Sequence, residues 1–175
     1  YGCMTNKVYV CGEIENNFKC SRSIPLGKMY RSKIIVTRLS GIKDIIPIAI
    51  NSKLFEQEIT QRILSERQVK ICGQFRSRNI IGEDGKNHLD LFLYVTHISN
   101  ELDKNENQNL IYMNGYICKT PICRTTPKGR KITDLLIAVN HPDRRSDYIP
   151  CIAWTKNAEF AKNFEVGDNI ELYGR

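Results

Sequence analysis

The chain has 175 residues, 41% of them hydrophobic and 26% charged, with a formal net charge of +7 and a pI near 9.1. That balance suits a soluble globular protein of one or two small domains, and no apolar run approaches the ~20 residues of a membrane-spanning helix. No apolar stretch near the start reads as an export signal, so a cytoplasmic location and no membrane partner are expected.

In chain order, the first strand is expected at residues 7–15, with Gly12 inside it. Strands follow at 31–39 and 44–51. Residues 53–64 read as a helix, because Phe55, Ile59 and Ile63 fall four apart on one face, and Ser52 is placed to cap it. Strands at 67–76 and 88–98 flank an Asp84-Gly85 turn. Residues 100–109 are polar and read as a linker between a first domain, 1–99, and a second, 110–175. The second domain repeats the order: strands at 110–118, 131–140 and 147–154, a short helix at 157–164, and a strand at 168–175. No counterpart of 88–98 follows within the chain.

The repetition extends to the residues. VYVCGEI at 8–14 matches IYMNGYI at 111–117, and IIPIAI at 45–50 matches YIPCIA at 148–153. VKICGQ at 69–74 matches IELYGR at 170–175. Gly115 follows Gly12 by 103 positions, Pro150 follows Pro47 by 103, and Gly174 follows Gly73 by 101. Three blocks in one order and nearly one register indicate a duplicated unit. Five strands with a helix between the third and fourth are the pattern of an OB-fold barrel. The expected fold is therefore all-β: two tandem five-stranded OB-fold barrels, the second without its fifth strand in this chain.

Basic residues cluster at the same place in each repeat. Residues 16–43 hold Lys19, Arg22, Lys28, Arg31, Lys33, Arg38 and Lys43 and no acid. Residues 118–131 hold Lys119, Arg124, Lys128, Arg130 and Lys131, again with no acid. Arg76 and Arg78 add charge at the end of the fourth strand. Clustered Lys and Arg neutralise phosphates and release their counterions. A solubilising hairpin is the plainer alternative.

Strand alternation sharpens the reading of 148–154. Ile149, Cys151 and Ala153 share a small apolar face suited to a barrel interior. Tyr148, Pro150, Ile152 and Trp154 share the other, which puts the single Trp outward beside a Tyr. Exposed aromatics next to a basic groove stack on unpaired bases of any sequence; burial of Trp154 under the helix is the competing expectation. The first repeat keeps the interior face as Ile46, Ile48 and Ile50. It has Ile45 and Asn51 where the second has Tyr148 and Trp154, so any platform there would come from Tyr30, Phe92 or Tyr94.

Seven cysteines are present: Cys3, Cys11, Cys20, Cys72, Cys118, Cys123 and Cys151. None form a C-x-x-C pair and the repeats do not share them, so they read as structural thiols rather than zinc ligands or a disulfide framework. His88, His97 and His141 lack ligand spacing, and no phosphate loop or nucleophile motif is present. No cofactor and no enzymatic activity are expected.

The second repeat resembles the bacterial single-stranded DNA-binding protein family, in its tandem OB-fold form. The likeness rests on NLIYMNGYI at 109–117, on Pro121, Arg124, Thr126 and Gly129, and on LLIAVN at 135–140. It continues in YIPCIAWTKNAE at 148–159 and VGDNIELYGR at 166–175. KVYVCGEI, IIPIAI and VKICGQFRSR carry a weaker likeness in the first repeat. The resemblance implies sequence-independent binding of single-stranded DNA, with Tyr148 and Trp154 at positions of base-stacking aromatics. It implies that Arg124, Arg130, Lys131, Lys156 and Arg175 belong to the basic groove. It also implies a homodimer that assembles four barrels, and replication or repair proteins as partners. The loss of aromatics in the first repeat puts equal binding by the two barrels in doubt. The alternative class is an OB-fold scaffold of a replication-restart or recombination complex with weak nucleic-acid binding. RNA stays open too, because stacking and charge do not read the 2′-hydroxyl.

Overall fold

The computed structural model describes residues 5–23, 26–101, 109–141 and 145–175. Cys3 and most of the expected linker lie outside them. The chain forms two compact units. Among the described residues, those within 7–76, 91–111 and 173–175 form one, and 5–6, 77–90 and those within 112–172 form the other.

The first repeat forms a closed barrel. Its strands are β1 (Asn6–Ile14), β2 (Lys19–Ser23), β3 (Gly27–Thr37), β4 (Lys43–Asn51), β5 (Gln68–Ile81) and β6 (Asn87–Ser99). β1 pairs antiparallel with β5 and with β3, β3 pairs with β4, β4 runs parallel to β6, and β6 neighbours β5. The circuit has no free edge within those five strands, which is the OB-fold solution to unpaired strand edges. Val8, Val10, Ile34, Ile48, Ile50, Val69, Ile71, Leu93 and Val95 fill it, each at most 2% exposed. They recur at every second position because alternate strand residues point inward.

The expected helix at 53–64 is two helices, α1 (Ser52–Phe55) and α2 (Glu58–Ser65). The chain turns extended at Gln57, and the Gln61 side chain donates to the Phe55 carbonyl at 2.6 Å, which satisfies an oxygen the break leaves open. Ser52 is not the cap. Asn51 is, accepting from the Leu54 N–H at 2.8 Å. The buried face of α2 is Thr60, Ile63 and Leu64, while Ile59 is 57% exposed. The broken helix resets the phase that a spacing of four assumed.

In the second repeat, β7 (Asn109–Ile117), β8 (Ile122–Thr125), β9 (Lys131–Asn140), β10 (Ser146–Trp154), α3 (Lys156–Ala161) and β11 (Asn169–Gly174) reproduce the order. β9 pairs with β10 along its length and with β8 and β7 on its other side; β11 pairs with β7. Ile117, Leu135, Ile137, Val139 and Ile149 are buried, as are Ala158 and Ala161 of α3. Thr133, fully buried, donates its hydroxyl to the Ala158 carbonyl at 2.8 Å and ties helix to sheet. The short strands β2 and β8 were not expected; each is the outer arm of a basic hairpin.

The duplication is kept to the single residue. Glu13 pairs with Ile35 across β1 and β3, and Tyr116 pairs with Ala138 across β7 and β9, each 103 positions on. The glycine before each pair explains its persistence. A Cβ on Gly12 would stand 2.3 Å from the Ile35 carbonyl oxygen, and one on Gly115 would stand 2.5 Å from that of Ala138. Only a residue without a side chain lets these strands close.

The described cysteines are all free thiols. Burial pushes the Cys151 thiol up to about 12, whereas Cys20 and Cys123 are exposed. A thiolate is the reactive form, so a maleimide at pH 7.5 is expected to label Cys20 and Cys123 quickly and Cys151 only on unfolding. Peptide mapping of the labelled protein checks this; early labelling of Cys151 would contradict the packing of β10.

Candidate nucleic-acid interface

β10 alternates as its sequence requires. Ile149 is buried and Cys151 and Ala153 are half-buried, while Tyr148, Pro150, Ile152 and Trp154 are exposed. Tyr148 and Trp154 are 44% and 45% exposed, so the Trp does not lie under the helix. Six positions along a strand separate the two rings, a span of about 20 Å.

Pairing places charge beside this strand. Trp154 and Arg124 are both in register with Ile132, from opposite sides of β9, so they lie in one row. Lys128 and Arg130 are exposed in the β8–β9 turn, which Gly129 makes with φ +81° and Thr126 closes by accepting the Arg130 N–H at 3.1 Å. Lys131 opens β9, and its carbonyl accepts the Thr155 N–H at 3.0 Å, which brings Lys156 alongside. Lys162, not singled out from sequence, joins them through Glu159.

The basic stretch holds no acid of its own, but the fold supplies two. Arg124 Nε lies 2.6 Å from Asp134 Oδ2. Glu159 takes Lys131 Nζ at 2.8 Å on Oε1 and Lys162 Nζ at 2.7 Å on Oε2. These partners come from β9 and α3, out of reach of any local reading. The Lys131 and Lys162 ammonium groups hold the exposed Glu159 carboxyl down at about 2. A carboxyl more acidic when folded than its unfolded value near 4.3 stabilises above that value. The contribution is lost as pH falls through about 2. Glu159→Gln is therefore expected to flatten the acid limb of the melting temperature between about pH 4.5 and 2 relative to the unsubstituted protein. Unchanged slopes in thermal melts would contradict the two ion pairs.

The far end of β10 is anchored differently. The Tyr148 N–H donates to Ser77 Oγ at 2.8 Å, and the Ser77 N–H donates to Asp147 Oδ1 at 3.2 Å. Buried His141 contacts the other Asp147 oxygen. The β5–β6 tip thereby covers the edge of β10 beside Tyr148. Arg78 lies on that tip with its Nε 2.7 Å from Asp90 Oδ2.

The remaining basic residues fall in the first unit. Arg175 is grouped there, and its charge helps lower the Asp44 carboxyl after the larger effect of Arg38, which bonds it at 2.7 Å. Arg31 stands 4.8 Å above the Phe92 ring, and Lys28 5.5 Å from Tyr30. Lys33 is exposed on β3, and Arg76 is half-buried on β5. Phe92 is 1% exposed in a small cluster with Met29 and Ala49, which removes it as a base platform. Tyr30 is stacked on Phe55 at 4.0 Å, and Tyr94 accepts from Asn51 at 3.4 Å. Asn51, the counterpart of Trp154, is committed to capping α1.

Closed β1–β3–β4–β6–β5 pairing with helices between the third and fourth barrel strands defines an OB-fold protein. Residues 108–175 match the single-strand binding protein family. The single-stranded DNA-binding protein 2 of Listeria innocua is 36% identical over 62 residues, 32% of this chain and 39% of the relative. The single-stranded DNA-binding protein of Oceanobacillus iheyensis is 31% identical over 74 residues, 38% of this chain and 46% of that protein. The chain thus spans less than half the length of these relatives. The fold matches the crystal structure of the wild-type single-stranded DNA binding protein from Thermus aquaticus with a TM-score of 0.69 at 18% identity, over 97% of this chain and 84% of that one.

Proposed function

We propose that the chain binds single-stranded DNA without sequence preference, stacking bases on Tyr148 and Trp154 and neutralising phosphates with the β8–β9 hairpin, Lys131 and Lys156. The observation that carries this is the half-exposed aromatic face of β10, in register with a basic hairpin in a stretch that matches the single-strand binding family. The relatives' names, which state single-stranded DNA binding, support the same reading. Arg78 adds charge near Tyr148. Lys28, Arg31, Lys33, Arg76 and Arg175 would contribute less, because they lie in the unit where Ile45 and Asn51 stand at the positions matching Tyr148 and Trp154. A homodimer with four barrels, a cytoplasmic setting and a role in replication, recombination or repair complete the proposal.

Titrating oligo-dT against Trp154 fluorescence, with duplex DNA and oligo-rU as competitors, tests it. Quenching that resists duplex competitor and weakens steeply with salt is expected; no quenching at low salt refutes it. Lys131→Ala is expected to reduce the salt slope by about 1 while lowering affinity less than loss of the indole.

A further inference from the structure

Register across three strands brings a second tyrosine into the face of β10. Ala138 on β9 pairs with Tyr148 of β10 on one side and with Tyr116 of β7 on the other. Residues directly opposite in a sheet point to the same face. Tyr116 and Tyr148 are each 44% exposed, and between them stands only a methyl group. The row is therefore two rings with a floor of one Ala.

The spacing is that of a clamp. Two strand separations put the tyrosine backbones about 9.6 Å apart. An aromatic ring stacked on both faces needs a neighbour centroid about 4.5–7 Å away on each side. We infer that Tyr116 and Tyr148 form a slot over Ala138 that holds one unpaired nucleobase between two rings. The inference rests on the single-stranded DNA reading and adds a residue to it.

The duplication supplies an internal comparison. The matching row of the first unit is Glu13, Ile35 and Ile45. Glu13 is exposed and lies 3.8 Å from Arg67, and Ile45 is 59% exposed. A carboxylate and two aliphatic chains neither stack on a base nor tolerate a phosphate nearby. The same backbone row thus carries a slot in one repeat and none in the other. Gly115 fixes the geometry, because its missing side chain lets β7 close on the Ala138 carbonyl.

The test uses the full chain with oligo-dT and with the same oligonucleotide carrying 5-iododeoxyuridine. Tyr116→Ala is expected to weaken binding about 5- to 100-fold, and Tyr116→Phe to stay within about 2-fold, since the ring and not the hydroxyl stacks. Ala138→Leu, which fills the floor, should weaken binding while Trp154 quenching at saturation persists. Irradiation should cross-link Tyr116 or Tyr148, located by peptide mapping. If the unsubstituted protein binds but Tyr116→Ala binds equally well and no cross-link maps to either tyrosine, the slot is wrong and the DNA reading stands. If the unsubstituted protein binds no oligo-dT at low salt, both fall.

Discussion

Replacing Trp154 with Ala is expected to weaken oligo-dT binding by about 1–3 kcal/mol, the usual worth of one base stacked on an aromatic side chain. The indole is 45% exposed at the end of a strand whose opposite face is packed, so its removal opens no cavity in the core. Stability should change little, which separates a binding loss from an unfolding loss. The first repeat provides the control. Asn51 stands at the matching position, but its side chain caps α1 and bonds to Tyr94. Asn51→Ala should cost about 0.5–2 kcal/mol of stability and leave DNA affinity nearly unchanged. Calorimetric titration beside thermal melts distinguishes the two; equal losses of affinity from both substitutions would show that the repeats bind alike.

Adding one methyl at Gly73 is expected to destabilise the fold more than any surface change. Its Cβ would meet the Tyr94 carbonyl oxygen at 2.0 Å, with the Leu93 side chain at 3.1 Å. Neither β5 nor β6 can give way without breaking the closed circuit. Overpacking in such a place costs about 1–3 kcal/mol or more, which should lower the melting temperature by several degrees. Gly174, its counterpart in the repeat, has nothing within 4 Å of an added Cβ, and Gly174→Ala should melt with the unsubstituted protein. A Gly73→Ala protein that melts normally would refute the close approach of β5 and β6.

The strands were readable because burial imposes period two on them. The interior faces Ile46, Ile48, Ile50 and Ile149 and the outward aromatic face of β10 follow from that alone. What escaped depends on pairing between distant segments. Phe92 reads as an available aromatic in a strand, but Met29 and Ala49 cover it from β3 and β4. Arg124 and Lys131 read as unpaired charges, yet Asp134 of β9 and Glu159 of α3 pair with them. The break after α1 leaves the Phe55 carbonyl to the Gln61 side chain, a bond that periodicity does not disclose. Tyr116 left a signal in the sequence: it is 103 residues after Glu13, where the repeat exchanges an acid for an aromatic. Its meaning appears only once Ala138 is seen to pair on both sides.

Residues 77–90 are grouped with 112–172 although they lie within the stretch that reads as the first repeat. Cutting the chain between the repeats would therefore not yield two whole modules. The N-terminal piece would carry a hairpin tip stripped of its seat, and the C-terminal piece would lose the Ser77 contacts that satisfy Asp147 and the Tyr148 amide. Sequence duplication and structural autonomy have come apart here. Dissection by domain exchange would have to move the hairpin with its seat, or else read a damaged edge as a functional difference.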